Sequence, residues 1–206
     1  SEMCIRDRPL FQAAYPDVEI SSEIPENEID ISNALLSQKY DAFVSLHKLE
    51  HREIISVPFA KEELMLSVPS GHRWANKPLI YLDEEKNEEM IVYRGKGAYV
   101  RQLQPFLDQL CTRHNIKIYD DYFVFKQLLE QKQIATFTTR LVQHYRHDGE
   151  NRVVIPIGDE GISATYWLSY LKQKRRRLAP FLEWVNKNSF SFLGNEANRR
   201  FETAQF

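Results

Sequence analysis

The sequence predicts an α/β protein built on an open sheet with right-handed crossovers, and three observations carry that prediction. Short apolar runs of strand length alternate with stretches whose apolar residues recur at helical spacing, the order of strand–helix–strand units. A chain of 206 residues, 43% of them apolar, is long enough to bury a core as one large domain or two small lobes. Only 7 glycines and 9 prolines, beside 12% aromatic residues, exclude a collagen-like repeat or a disordered tail.

Composition narrows the function classes further. No apolar run reaches the roughly 18 residues of a membrane span. A formal net charge of −2 and a pI of about 6.3 argue against a surface whose main task is gripping nucleic acid. Two cysteines, Cys4 and Cys111, cannot build a disulfide framework.

Residues 1–8, S-E-M-C-I-R-D-R, have no apolar period, cap or turn logic. They back-translate in frame to TCG-GAG-ATG-TGT-ATA-AGA-GAC-AG, which looks like a transposon-based sequencing adapter. The expectation is that Ser1 to Arg8 are adapter and the natural chain starts near Pro9, as a fragment of a longer protein. Removing Glu2, Asp7, Arg6 and Arg8 leaves the net charge at −2, and removing Cys4 leaves Cys111 as the one thiol.

From Pro9 onward the elements follow in order. Leu10, Phe11, Ala14 and Tyr15 are spaced like the last turns of an amphipathic helix that Pro16-Asp17 closes. Val18 to Ile24 reads as a strand. Asn27 or Asp30 caps a helix with Ile31, Ala34, Leu35 and Leu36 on one face. Ala42 to Val44 reads as a short strand of the kind buried in a parallel sheet. Glu53 to Pro58 and Glu63 to Val68 read as two more strands.

A second unit begins after Trp74. Met90 to Tyr93 is a strand, Arg94 to Gly97 a glycine-containing loop, and Val100 to Asn115 a helix with Leu103, Phe106, Leu107, Leu110 and Cys111 on one face. Pro105 is tolerable there only near a first turn. Ile116 to Tyr119, Ile134 to Phe137, Arg152 to Ile157 and Ala164 to Leu171 read as strands, and Tyr122 to Gln131 as a helix. Leu178-Ala179-Pro180 opens a last helix through Lys187, with Pro180 near its first position. Residues 191–206 read as a loosely attached tail.

Four segments in this order carry a resemblance. Y-P-D-V-E-I at 15–20 is similar to the Y-P-x-V-x-L strand entry of LysR-type transcriptional regulators. Leu36 to Val44 resembles their L-x-x-G-x-L-D-x-A-I segment, with Lys39 near the glycine position. Pro58 to Leu66 resembles P-L-x-x-E-x-L-x-L-V, and Ser70 to Ala75 stands where the family has x-x-H-P-L-A. The resemblance covers residues 9 to about 187. It departs at Gln131 to Ala135, where both glycines of the family's G-x-G-[IV]-[AS] are missing, and at the very basic run Lys172 to Arg177.

The resemblance implies the effector domain of such a regulator, on the two-lobed type 2 periplasmic-binding-protein fold with two crossover strands and a ligand cleft between the lobes. It implies lobe I from residues 9–76 and 163–190 and lobe II from residues 77–162. It implies a cytoplasmic protein that is no enzyme and needs no cofactor. Its partners would be a small-molecule effector, a second copy in a homodimer or homotetramer, and DNA through an N-terminal domain outside this chain, with no membrane. It implies Leu10 to Ile20 of one copy against Phe125 to Gln131 of another, with Leu10, Phe11, Val18, Ile20, Leu128 and Leu129 in the interface.

Ligands of open α/β lobes bind outside the carboxyl ends of strands, where helix N-termini favour anions. The residues in such positions are Ser45 and His47 after one strand, Arg94, Lys96 and Tyr99 after another, and Thr138 and Thr139 after Phe137. With Arg94 and Lys96 near the mouth, a small anionic or zwitterionic effector is expected. Pro25, Glu26 and Asn27 line the cleft or merely cap a helix.

Other constellations read blandly. His144, His147 and Asp148 make a solvated turn rather than a metal site. Cys111 reads as a small core residue, and Lys172 to Arg177 as a solvated face, with phosphate contact the minority reading. No nucleophile elbow, P-loop or H-E-x-x-H motif is present. The rival readings are a transporter's solute-binding protein, which needs a signal peptide upstream, and an enzyme on the same fold.

Overall fold

The structure is a computed structural model, and it describes residues 9–23, 29–85, 87–94, 98–131, 134–140 and 151–188. The chain divides into two units. Unit 1 takes the residues up to Lys61 and from Thr165 onward; unit 2 is Glu62 to Ala164. Residues 62–76, expected in the first lobe, thus fall in unit 2, where Leu66, Val68 and Trp74 are core residues.

Unit 1 begins with a helix over residues 9–14, α1. Phe11 alone of its apolar residues is fully buried, while Leu10 is 65% exposed and Ala14 is exposed. Val18 to Glu23 is irregular, not a strand. The Tyr15–Val18 turn is closed by the Val18 amide on the Tyr15 carbonyl, but the alternation that follows finds no neighbouring strand among the described residues. Apolar alternation needs a hydrogen-bonding partner to become a strand.

Helix α2 (Ile31–Leu36) is capped by Asp30, whose carboxylate accepts from the Asn33 amide at 3.0 Å. Ala34 and Leu35 face inward, but Leu36 points outward. The helix ends in a Schellman motif: the Gln38 amide donates to Leu35 and the Lys39 amide to Ala34. Gln38, not Lys39, takes the left-handed backbone at φ 59° that favours glycine.

Strand β1 (Ala42–Ser45) is half-buried and pairs antiparallel with β7 (Ser163–Leu171), Ala42 opposite Tyr170. It is not the fully buried parallel strand expected. Strand β2 (Ile54–Pro69) is one strand of 16 residues in place of the two expected. Phe59 to Glu62 contains no turn-forming residue, so the extended backbone runs on. Both β2 and β7 contribute residues to both units. After β7, a 3-10 turn (Lys172–Lys174) leads into a helix (Arg175–Asn188) that starts three residues before Leu178, so Pro180 lies inside it. Leu35, Ile54 and Leu171 form one core cluster, with Ile31, Tyr40, Phe43 and Leu49 against it. Phe11 forms a second, its ring edge-on to Phe181 at 5.9 Å and Trp184 at 5.6 Å.

Unit 2 is a sheet with β2 between β5 (Ala135–Thr139) and β6 (Arg152–Pro156), both antiparallel to it. Next to β5 comes β3 (Glu89–Tyr93), then β4 (Asn115–Tyr119) at the edge, and β5, β3 and β4 are mutually parallel. Helix α3 (Ala98–Cys111) links β3 to β4, and α4 (Tyr122–Gln131) links β4 to β5. We number the helix at 175–188 α5.

Helix α3 begins two residues earlier and stops four earlier than its pattern predicts. It buries Tyr99, Leu103, Leu107 and Leu110, but Cys111 is exposed, so this thiol is no core residue. Pro105 lies mid-helix on the exposed face, where water can serve the turn it cannot bond. Helix α4 matches its predicted bounds and packs Phe125 and Leu129 on Ile91. Asp121 caps it, accepting from the Phe123 and Val124 amides at 2.8 and 3.1 Å.

Candidate functional site

The parallel part of unit 2 carries three of the expected ligand residues, Arg94, Thr138 and Thr139. Thr136 stands opposite Ile91 in the β3–β5 register. Continued along both strands, that register brings Thr138 and Thr139 alongside Tyr93 and Arg94. The carboxyl ends of two adjacent parallel strands therefore meet where the chain turns into α3, the position at which α/β sheets bind ligands. Thr138 and Thr139 belong to β5 itself rather than following it; Thr138 is buried and Thr139 half-buried, and both have polar partners.

Arg94 is exposed and pairs loosely with Asp120 at 3.5 Å. Its amide donates to the Tyr119 carbonyl at 2.8 Å, which fixes the exit from β3 against the exit from β4. The first turn of α3 has no acidic residue, so its amide dipoles are left to an anion. By contrast Asp121 already occupies the start of α4. The two helix ends at this edge are chemically different, and only that of α3 has no carboxylate of its own.

The other expected site residues are placed as follows within their own units. Tyr99 is 4% exposed, and its hydroxyl donates to the Ile162 carbonyl. It lies on the buried face of α3. Ser45 ends β1 in unit 1 and donates to the His47 carbonyl at 2.8 Å, with the His47 side chain exposed beyond it. Lys96, Gly95 and Gly97, like Pro25, Glu26, Asn27, His144, His147, Asp148 and the Lys132-Gln133 turn, lie outside the described residues.

Of the expected interface residues, Leu10 is the most exposed. Phe11 and Leu129 are committed to the cores of their own units; Val18, Ile20 and Leu128 are half-buried.

Two charged arrangements were not legible in the sequence. Arg140, directly after Thr139, pairs with Glu63 of β2 at 2.7 Å. Only the β2–β5 register, Leu64 opposite Thr139, brings them together. In the loop after β2, His72 donates to Glu88 at 3.0 Å, Arg73 bridges Glu88 and Glu85, and Lys77 bonds Glu85. The Lys77 hydrogen bond, with the Trp74 ring nitrogen and the Lys77 and Arg73 charges behind it, holds the Glu85 carboxyl below its ordinary range against the opposing effect of burial. These contacts fasten the loop and leave no group poised for chemistry. Buried His114 is likewise used up, bonding the Leu82 carbonyl and the Glu88 amide. Among the described residues no cluster of His, Cys, Asp and Glu is arranged to hold a metal, and no helix is long and apolar enough to cross a membrane.

A two-unit α/β chain whose strands β2 and β7 contribute to both units has the type 2 periplasmic-binding-protein fold. The model of the LysR substrate binding domain matches residues 9–189. The chain belongs to that family of regulatory, effector-binding domains. No curated protein is close enough in sequence to match.

Solved structures agree with the fold. The regulatory domain of MetR, a LysR family regulator from N. meningitidis, is 15% identical, with a TM-score of 0.62, over 94% of this chain and 90% of that one. The regulatory domain of CcmR from Synechocystis PCC6803, in complex with 2-PG, is 15% identical, with a TM-score of 0.62, over 89% of each chain. Full-length CbnR complexed with its target DNA is 17% identical, with a TM-score of 0.57, over 87% of this chain and 63% of that one.

Proposed function

We propose that this chain senses a small anionic or zwitterionic metabolite on behalf of a DNA-binding transcriptional regulator in the cytoplasm, and that it catalyses no reaction on that metabolite. One observation carries the reading: the β3–β5 register, continued to the carboxyl ends of these adjacent parallel strands, brings Arg94 level with Thr139, with Thr138 one residue before it on β5, beside a helix whose first turn has no acidic residue. Arg94 would leave Asp120 for the ligand's carboxylate or phosphate, and the threonine hydroxyls would orient it. Their loose, exposed ion pair costs little to exchange. Lys96 would add charge from the adjoining loop, and Ser45 with His47 a polar contact in unit 1.

Ligand binding would act by favouring one conformational state of the regulator over another. Support for the DNA partner comes from the family and from the CbnR complex with target DNA. The regulator would assemble as a homodimer or homotetramer through residues 10–20 and 125–131, with exposed Leu10 and half-buried Leu128 meeting the other copy.

A thermal-shift panel of small carboxylates, phosphates, amino acids, neutral sugars and amines tests the reading. At about 100 times its Kd, a true effector stabilises the fold by roughly 2.7 kcal/mol. Carboxylates, phosphates or amino acids should give the largest upward shifts. A panel won only by neutral or cationic compounds would overturn the anionic assignment.

A further inference from the structure

Charge is unevenly spread over unit 1. Five of the six residues 172–177 are Lys or Arg, and they occupy the 3-10 turn and the opening of α5. Because Ala42 stands opposite Tyr170 in the β1–β7 pairing, the turn before β1 lies where β7 ends. Asp41 in that turn takes Lys174 at 2.7 Å and Arg177 at 3.6 Å, and Lys39 lies over the neighbouring Tyr40 ring at 5.1 Å. Two segments thus bring cations to a surface where Asp41 pairs with two of them, Glu23 takes the Tyr40 hydroxyl and Glu53 lies beside Lys172, and Lys172 and Arg176 are exposed on it.

Stability of the fold does not account for this arrangement. Positive charge at the start of a helix opposes the macrodipole, yet α5 opens with three consecutive arginines and has no acidic residue in its first turn. An external polyanion does account for it. The run spans about 10 Å of helix axis, the length of about three phosphates along one strand of duplex DNA. Lys174 and Arg177 meet on Asp41, whereas Lys172 and Arg176 stand exposed towards the two ends of the run, a separation that fits a backbone better than a single small anion.

We propose that this cluster, with Lys172, Arg176 and Arg177 as its working members and Lys174 held on Asp41 behind them, contacts the phosphate backbone of nucleic acid. The proposal rests on the reading of this chain as part of a DNA-binding regulator. The contact is sequence-independent and auxiliary, consistent with a chain whose overall charge is close to neutral.

The test is fluorescence anisotropy of the 206-residue chain with a labelled duplex of scrambled sequence, titrated from about 50 to about 200 mM salt. Binding should weaken with salt with a log–log slope of about −2 to −3, near −0.9 per phosphate neutralised. The double variant K172E/R176E should bind about tenfold more weakly or worse and lose up to two from the magnitude of the slope. K117E, an exposed cation of unit 2 outside every surface proposed above, should bind as the unaltered chain does. Both substituted side chains of the double variant are exposed, so its melting temperature should hold or rise.

Absence of duplex binding at low salt, equal binding by K172E/R176E, or an equal loss with K117E would overturn the proposal. Binding of polyglutamate in preference to the duplex would also overturn it and reassign the surface to an acidic protein partner. An effector-induced thermal shift that K172E/R176E leaves intact separates failure here from failure of the effector reading.

Discussion

Unit 2 is cut from one continuous stretch of chain, whereas unit 1 is assembled from two stretches separated by the whole of unit 2. The consequence is visible in how each holds together. In unit 2, β3, α3, β4, α4 and β5 follow one another and pack on their sequence neighbours, with Phe125 and Leu129 of α4 returning to Ile91 of β3. In unit 1 the decisive contacts are remote: Phe11 on Phe181 and Trp184, and Ala42 on Tyr170. A unit closed by its two ends depends on a few long-range contacts, and a unit closed by local crossovers spreads the dependence.

The largest way to break this contrast is Phe11→Ala. Phe11 is 1% exposed and meets three aromatic rings, Tyr15 among them at 5.1 Å, so the expected loss is about 3–5 kcal/mol. Urea unfolding with hydrogen exchange should show the loss in the residues of unit 1 first, with β3, β4 and β5 still protected. A loss under about 1 kcal/mol, or equal deprotection of both units, would refute the contrast.

Arg152→Met is the matching cut in unit 2. The guanidinium donates to the Ser67 hydroxyl, the Ser67 carbonyl and the Ile134 carbonyl at 2.9, 2.7 and 2.9 Å, tying β6 to β2 and to the entry of β5. Leaving those acceptors unserved should cost about 2–3 kcal/mol, read as a lower denaturation midpoint with an unchanged urea dependence.

Gln38→Gly should stabilise unit 1 by about 0.5–1 kcal/mol, because the residue already holds a left-handed backbone that glycine adopts freely. A fall in melting temperature would mean that the Gln38 side chain does something the backbone argument misses.

The smallest expected effect is one of pH. The Lys174 hydrogen bond and the Lys174 and Arg177 charges, against some desolvation, hold the Asp41 carboxyl below its ordinary value of 3.8. A depressed carboxylate contributes stability that is present above its unfolded pKa and is lost as pH falls through the folded one. Asp41→Asn should therefore flatten the acid limb of the stability curve below about pH 4. The Asp41 side chain is 43% exposed, so the contribution should be about 0.5 kcal/mol or less. An Asp41→Asn acid limb as steep as that of the unaltered chain would exclude the pair as a contributor.

The same contrast explains what was legible in the sequence. Helix α4 matches its pattern residue for residue because Phe125, Leu128 and Leu129 repeat at helical spacing against a strand close by in the chain. Strand β1 was placed correctly but given the wrong neighbours, since nothing in Ala42 to Ser45 announces a partner at 167–170. The Val18 to Glu23 alternation misled for the same reason: it has the period of a strand and no partner among the described residues. Arg94, Thr138 and Thr139 could be placed at strand ends from the sequence, though the sequence put both threonines after the strand rather than in it. The burial of Tyr99 could not be read, because only the fold turns its hydroxyl onto Ile162. The Arg140–Glu63 pair was invisible without the register that joins β5 to β2.

The central claim is that unit 2 receives the effector's negative charge at Arg94. Isothermal titration of the best-shifting compound from the panel into the unaltered chain and into Arg94→Ala tests it most directly, with Thr139→Val alongside. The account predicts at least a tenfold weaker Kd for Arg94→Ala, a smaller loss for Thr139→Val, and unchanged melting temperatures without ligand, since Arg94 is exposed. Equal affinity for the unaltered chain and Arg94→Ala would contradict the account and place the anion elsewhere.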